Sequence, residues 1–216
     1  MKLLFVTATN TDIGKTFTTL QLIEHFNKHN ITVGVCKPIE TGVEKTPLDA
    51  TKLLESVQQY NKNFETLEPK DITAYTFSLP AAPFCADKNG LIRVEKIKEK
   101  IEELSKLCEV LIIEGAGGLM VPITGNYMMI DLAKELNAQT LLVTSSKLGS
   151  INDTMLSIQA LESRGIEFDW CVNLFQDRDK FAQVTQPFYD HYFPNWWISE
   201  EKLEDFVKNF IQNIKI

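Results

Sequence analysis

A basic surplus is the first thing this chain lacks. Its 22 lysines and arginines are outnumbered by 29 acids, for a formal charge of −7. Nucleic acid wants a basic face, so no nucleic-acid partner is expected. ATP stays open, because a local nest of N–H groups and lysines can override the net field. Cysteine is sparse: Cys36, Cys85, Cys108 and Cys171 are scattered, with no C-x-x-C and no paired histidine spacing. That favours free thiols in a reducing cytosol over a zinc site or disulfides. No apolar run approaches about 18 residues, so no membrane span is expected. The first strand follows the N-terminus directly, without a signal-peptide pattern, and the expected location is cytoplasmic. No linker, repeat or low-complexity tract breaks the 216 residues, which read as one domain, 1–216.

What is present is an ordinary globular balance, 44% apolar and 24% charged, in which strand and helix patterns alternate. Leu3-Leu4-Phe5-Val6 is followed by TATNTDIGKT, Thr7 to Thr16. Phe17, Leu20, Ile23 and Phe26 then recur at threes, as on a helix face. Strand, tight loop and a helix opening with Gly-Lys-Thr is the context of a phosphate-binding loop. Its N–H groups and the helix N-terminus offer partial positive charge to phosphate oxygens. Lys15 would reach the β- and γ-phosphates, and the Thr16 hydroxyl would hold Mg²⁺. One departure is plain: the usual pattern has glycine where this chain has Thr9.

Further along, 32–36 reads as a second strand ended by Lys37-Pro38, and Pro47-Leu48 opens a helix to about Tyr60. From 61 to 89 the pattern is weak, and the expectation is a long excursion with little regular structure, a lid or a dimer surface. Val94, Ile97, Ile101 and Leu104 mark another helix. Val110-Leu111-Ile112-Ile113 is a strand buried on both sides, ending at Glu114-Gly115-Ala116-Gly117-Gly118. A short helix is expected around Asp131 to Leu136, then a buried strand over 140–144. A helix with Met155, Ile158 and Leu161 inward follows, and a strand over 170–174. The end is an amphipathic helix carrying Leu203, Phe206, Val207, Phe210, Ile211 and Ile214. The order predicts an α/β fold, a parallel sheet with helices on both faces, like P-loop NTPases.

In such sheets ligands sit outside the carboxyl ends of the strands. Those ends carry Lys15, then Lys37 to Thr41, Glu114 to Gly118, Ser145 to Lys147, and Asn173. Glu114 reads either as a strand-end acid meeting water or as the second acid of a Mg²⁺-nucleotide site. Asp49 reads as a third ligand or as an acid that stabilises its helix start. Lys37 is a surface lysine or, if it faces the loop, a second cation beside the transferred phosphoryl group. Thr41 could hydrogen-bond a small substrate.

At these residues the chain resembles the dethiobiotin synthetases. TATNTDIGKT is similar to their G-T-x-T-x-V-G-K-T loop, with Ala8 in place of the glycine, and Lys37-Pro38-Ile39-Glu40-Thr41-Gly42 to their K-P-V-x-S-G. Leu48-Asp49-Ala50 resembles their S-D-A, and Tyr75-Thr76-Phe77 their Y-x-F. Glu114 to Gly118 with Val121-Pro122 resembles E-G-A-G-G-x-x-x-P, and Lys147 to Asn152 matches K-L-G-x-I-N. The resemblance implies an ATP-dependent carbon–nitrogen ligase of biotin synthesis, joining 7,8-diaminopelargonic acid and CO₂ (as bicarbonate) through a carbamate and a carbamic-phosphoric anhydride. It implies Lys37 and Lys15 as catalytic residues and Thr16, Asp49 and Glu114 as Mg²⁺ ligands. Nucleotide contacts implied are Asp12, Ile13, Gly14, Lys15, Thr16, Phe17, Asp49, Glu114, Gly115, Ala116, Gly117 and Asn173. Substrate contacts implied are Thr11, Thr41, Gly117, Gly118, Ser150 and Asn152, with the 114–118 and 147–152 segments working across a homodimer interface.

The family's nucleobase segments are not recognisable beyond Asn173: Leu174-Phe175 follows it, and the tail reads Phe193-Pro194-Asn195-Trp196-Trp197. Nucleotide affinity is therefore expected to rest mainly on the triphosphate, the competing idea being that Trp196 or Trp197 stacks on the base. The rival class is a nucleotide-driven switch like partition or septum-site ATPases. Those carry a lysine early in K-G-G-x-G-K-T, and Asn10-Thr11-Asp12-Ile13 has none.

Overall fold

The computed structural model describes residues 2–175 and 178–212. In chain order the strands are β1 (Lys2–Ala8), β2 (Val33–Cys36), β3 (Ile39–Thr41), β4 (Tyr75–Phe77) and β5 (Val110–Gly118). Then come β6 (Pro122–Thr124), β7 (Tyr127–Met128), β8 (Gln139–Ser145), β9 (Phe168–Asn173) and β10 (Trp197–Ile198). The helices are α1 (Lys15–Lys28), α2 (Leu48–Gln58), α3 (Pro83–Ala86), α4 (Val94–Ser105) and α5 (Met129–Glu135). They continue with α6 (Ser150–Ser163), α7 (Arg178–Val184), α8 (Gln186–Tyr192) and α9 (Ser199–Gln212).

Six strands form one parallel sheet in the order β10-β9-β8-β1-β5-β2. The uninterrupted apolar runs of β1 and β5 lie at its centre, where both faces must be apolar: Leu4, Phe5, Val6 and 110–113 are essentially inaccessible. Along β8 and β9 successive side chains divide between two clusters. Leu141, Val143 and Cys171 join the one that holds α1, α4 and α9; Leu142, Trp170 and Val172 join Ile158 of α6, Phe181 of α7 and Tyr189 of α8. That alternation is the period-two geometry of a strand covered on both sides. β1 is flanked by β5 on one side and β8 on the other, so the strand order reverses at its carboxyl end, which is where a crevice opens.

Several expectations are corrected. Phe17 is 45% exposed, and α1 buries Thr18, Thr19, Leu22, Ile23 and Phe26 instead. A spacing of three drifts about 60° per step around a helix of 3.6 residues per turn, so it cannot stay on one face. The 61–89 excursion has little regular structure, as expected, and is anchored to the core: Phe64 and Ile72 are fully buried, and Asn61 Nδ2 donates to Val33 O (2.9 Å) and Leu107 O (3.2 Å). Within it, single turns at Lys62–Phe64 and Pro69–Asp71 precede β4, which pairs in parallel with β3. Isolated anchors of this kind leave no periodicity to read. β5 runs past Glu114 to Gly118, because Ala8 continues to pair with Gly118 beyond an irregularity in β1. α5 starts at Met129, two residues early, where Asp131 accepts from Met128 N at 2.8 Å. α3, α7, α8 and β10 had no sequence signal. α9 buries Leu203, Phe206, Val207, Phe210 and Ile211 as expected, while Ile214 lies outside the described residues. No helix among the described residues is long and apolar enough to cross a membrane.

Candidate active site

The loop after β1 turns sharply before α1. Asp12 (φ 55°) and Gly14 (φ 95°) both take left-handed backbone, and Thr18 N donates to Gly14 O (2.9 Å) in the first turn of α1. Gly14 is held to glycine twice over. Its φ is disfavoured for any L side chain, and a β-carbon there would overlap the Asn173 carboxamide. Asn173, at the end of β9, donates from Nδ2 to Ile13 O at 2.8 Å; its Oδ1 is buried without a partner. Ala8, where a glycine was expected, is the fully buried last residue of β1.

Lys37 follows β2 and is 3% exposed. Its amine donates to Glu114 Oε1 (2.7 Å) and Gly115 O (3.3 Å) and lies 3.3 Å from Asp49 Oδ2. Burial opposes the charge, but Glu114 and Asp49 outweigh it and raise the lysine above its ordinary value. Thr16 donates from Oγ1 to the same Glu114 Oε1 at 2.9 Å. Lys15, 8% exposed, donates to a carbonyl, Asn10 O, at 3.2 Å. Burial and then the neighbouring Lys37 charge lower it to about 8, against the pull of Glu114, Asp49 and Asp12. The two lysines share the same acids, and the one in direct contact keeps its proton more firmly.

Lys15, Thr16, Lys37 and Asp49 face one cavity of about 770 Å³. Its walls include Thr11, Asp12, Gly14, Lys15, Thr16, Lys37, Thr41, Asp49, Ala116 and Gly117 from the expected set. Glu114 and Gly115 bind Lys37 from behind it; Ile13 and Asn173 brace the loop; Gly118 closes against Ala8. Phe17, Ser150 and Asn152 do not line it. Ser150 is buried at the start of α6, with Tyr189 OH 3.5 Å from its Oγ, and Asn152 is exposed beside Asp153. Sequence reasoning missed Glu40 and the wall formed by Pro80-Ala81-Ala82-Pro83. Two prolines bracketing two alanines were the available signal for that wall. The tail tryptophans make contacts of their own. Trp197 is buried in β10 against the Phe206 ring (5.8 Å between centroids), and Trp196 Nε1 donates to Asp190 Oδ1 at 2.9 Å.

A parallel sheet whose central strand feeds a Gly-Lys-Thr loop, with an acid and a lysine from neighbouring strands behind it, defines a P-loop nucleotide-binding α/β protein. A family model described as an AAA domain matches residues 2–172. The chain is 57% identical over 209 residues to the ATP-dependent dethiobiotin synthetase of Sulfurovum sp., covering 97% of this chain and 100% of that one. It is 34% identical over 217 residues to that of Wolinella succinogenes, covering 99% and 100%. The chain belongs to the ATP-dependent dethiobiotin synthetase family. Solved structures share the fold alone. The MinD cell division protein of Aquifex aeolicus has TM-score 0.52 at 18% identity, covering 96% of this chain and 86% of that one. A plasmid partition protein of Borrelia burgdorferi has TM-score 0.55 at 8%, covering 99% and 96%. The cell division and plasmid partition proteins thus resemble this chain in architecture, while the sequence relatives are dethiobiotin synthetases.

Proposed function

We propose that the chain forms dethiobiotin from 7,8-diaminopelargonic acid, CO₂ and ATP in the cavity between the loop, Lys37 and Thr41. Family membership supplies the overall reaction, ATP-dependent dethiobiotin synthesis in the biotin pathway. The observation that carries the residue assignment is the Lys37 amine, buried and charged against Glu114 and Asp49, on the same cavity wall as Lys15.

The chemistry runs in three steps. One substrate amine attacks CO₂ and releases a proton, giving a carbamate. A carbamate oxygen attacks the γ-phosphorus and ADP leaves, giving the mixed anhydride. The second amine attacks the carbamoyl carbon, phosphate leaves, the nitrogen gives up a proton and the ureido ring closes. Carbamate and γ-phosphate are both anions, so they approach only if fixed cations offset their repulsion. Lys37 and Lys15 are placed for that, and Thr41 and Thr11 offer hydroxyls to the substrate.

Mg²⁺ would be held by Thr16, Asp49 and Glu114, and would supply charge neutralisation at the phosphates. The donor set fits a hard cation: two carboxylates and a hydroxyl, with Glu114 Oε2 buried and unpartnered. Among the described residues no three His, Cys, Asp or Glu group as a metal cluster, so phosphate oxygens would complete such a site. Asn152, exposed and away from this cavity, fits a role toward the substrate carboxylate in a second copy of a homodimer, whereas the buried Ser150 side chain does not. A cytoplasmic setting suits the four free thiols.

The test is ADP and phosphate release with and without the diamine and bicarbonate. Turnover should require both and yield dethiobiotin; equal turnover without the diamine would overturn the proposal.

A further inference from the structure

We infer that Glu40 is a positioning residue that holds Asp49 in place for the metal by capping α2 from another strand. The inference rests on the reading of Asp49 as a Mg²⁺ ligand.

A helix start leaves its first N–H groups without partners, and the preceding residue's side chain usually takes those of the second and third helical residues. At α2 that preceding residue is Pro47, which makes no side-chain cap. The groups in question belong to Asp49 and Ala50. Both are taken by Glu40 of β3: Asp49 N donates to Oε1 (3.0 Å) and Ala50 N to Oε2 (2.9 Å). Glu40 is 8% exposed and lies on the cavity wall between Lys37 and Thr41. Its charge sits at the positive end of the helix dipole, where two N–H groups absorb it. It therefore fixes Asp49 without presenting a free carboxylate to an anionic substrate. Asp49 needs such fixing: its side chain is 40% exposed and is held by the 3.3 Å approach to Lys37. A carboxylate on a frayed first turn would give up part of its hold on a cation.

The experiment titrates Mg²⁺ into the full-length protein with a non-hydrolysable ATP analogue, by calorimetry, alongside steady-state turnover. Glu40→Gln, which keeps one acceptor, and Glu40→Ala should raise the Mg²⁺ needed for half-saturation about tenfold, the effect of losing a good N-cap. Mg²⁺-free analogue affinity should stay within about threefold, inside the lower part of that same range. Asp49→Asn should shift the Mg²⁺ requirement too, and adding Glu40→Gln to it should cause no further shift. Pro47→Ser, which places an acceptor at the helix's own cap position, should restore Mg²⁺ affinity to the Glu40→Gln protein. Should Glu40→Ala fail to fold, Glu40→Gln with its Pro47→Ser rescue carries the test. An unshifted Glu40→Gln beside a shifted Asp49→Asn overturns the positioning role alone. Additive shifts, or no rescue by Pro47→Ser, overturn it as well. An unshifted Asp49→Asn overturns the metal reading itself and this inference with it.

Discussion

Asn173 stands directly behind Gly14, its carboxamide occupying the space a side chain on the glycine would need while it donates 2.8 Å to Ile13 O. The end of β9 thereby braces the loop that follows β1, on the far side of β8 from it. Gly14→Ala should cost nucleotide affinity by about a hundredfold or more, since clash and left-handed φ act together. Asn173→Ala in the same protein should recover only part, because the φ strain remains. Calorimetric titration of ATP into the three variants checks this; full recovery would show that the clash alone mattered.

Lys37→Gln should lower kcat roughly 10²-fold, in the range for losing a transition-state charge contact. ATP affinity should change less, because the loop and Lys15 remain. Steady-state kinetics with both substrates saturating decides it, and near-normal kcat would remove Lys37 from the chemistry.

The lowered Lys15 makes ATP binding pH-dependent. Its pKa is about 8 in the free protein, and bound phosphates favour the protonated form and raise it. Affinity is therefore full below about pH 8 and falls as pH rises through it, by at most about tenfold per unit, until the bound-state value is passed. Binding in this window takes up a proton, which shows as a buffer-dependent binding enthalpy. Lys15→Arg keeps its charge throughout and should flatten the slope even where it weakens binding. A flat wild-type profile between about pH 7 and 9 would contradict the lowered pKa.

ATP should be preferred over GTP and CTP only weakly, by about tenfold, the worth of one or two partly exposed hydrogen bonds. Trp196 and Trp197 are engaged elsewhere. Asn173 Oδ1 is an unpartnered acceptor near the loop, and it cannot by itself reject a wrong base. Comparing kcat/KM for the three nucleotides checks this. A preference above about a thousandfold would require a dedicated adenine pocket.

Local signals carried the architecture. Leu111-Ile112-Ile113 and Leu141-Leu142-Val143 announced buried parallel strands because a strand covered on both faces has no polar side to show. Gly-Lys-Thr after such a strand announced the phosphate loop, and Leu203, Phe206, Phe210 announced α9, because helix periodicity is written in consecutive residues. The short pieces, β3, β4, α3 and β10, escaped since two to four residues are too few to carry a period.

Tertiary structure decided the rest. In the sequence, Lys37 was equally a surface residue, Asp49 a helix-start acid and Glu114 a strand-end acid. Folding places the lysine 2.7 Å from Glu114, 77 positions away, and 3.3 Å from Asp49, and buries two of the three. Glu40 carried no signal at all, because its partners are backbone N–H groups made available only by a proline at the start of α2. Periodicity and propensity describe how a segment meets its own neighbours. Which charges meet at the carboxyl ends of separate strands depends on strand order, and strand order is a property of the assembled sheet.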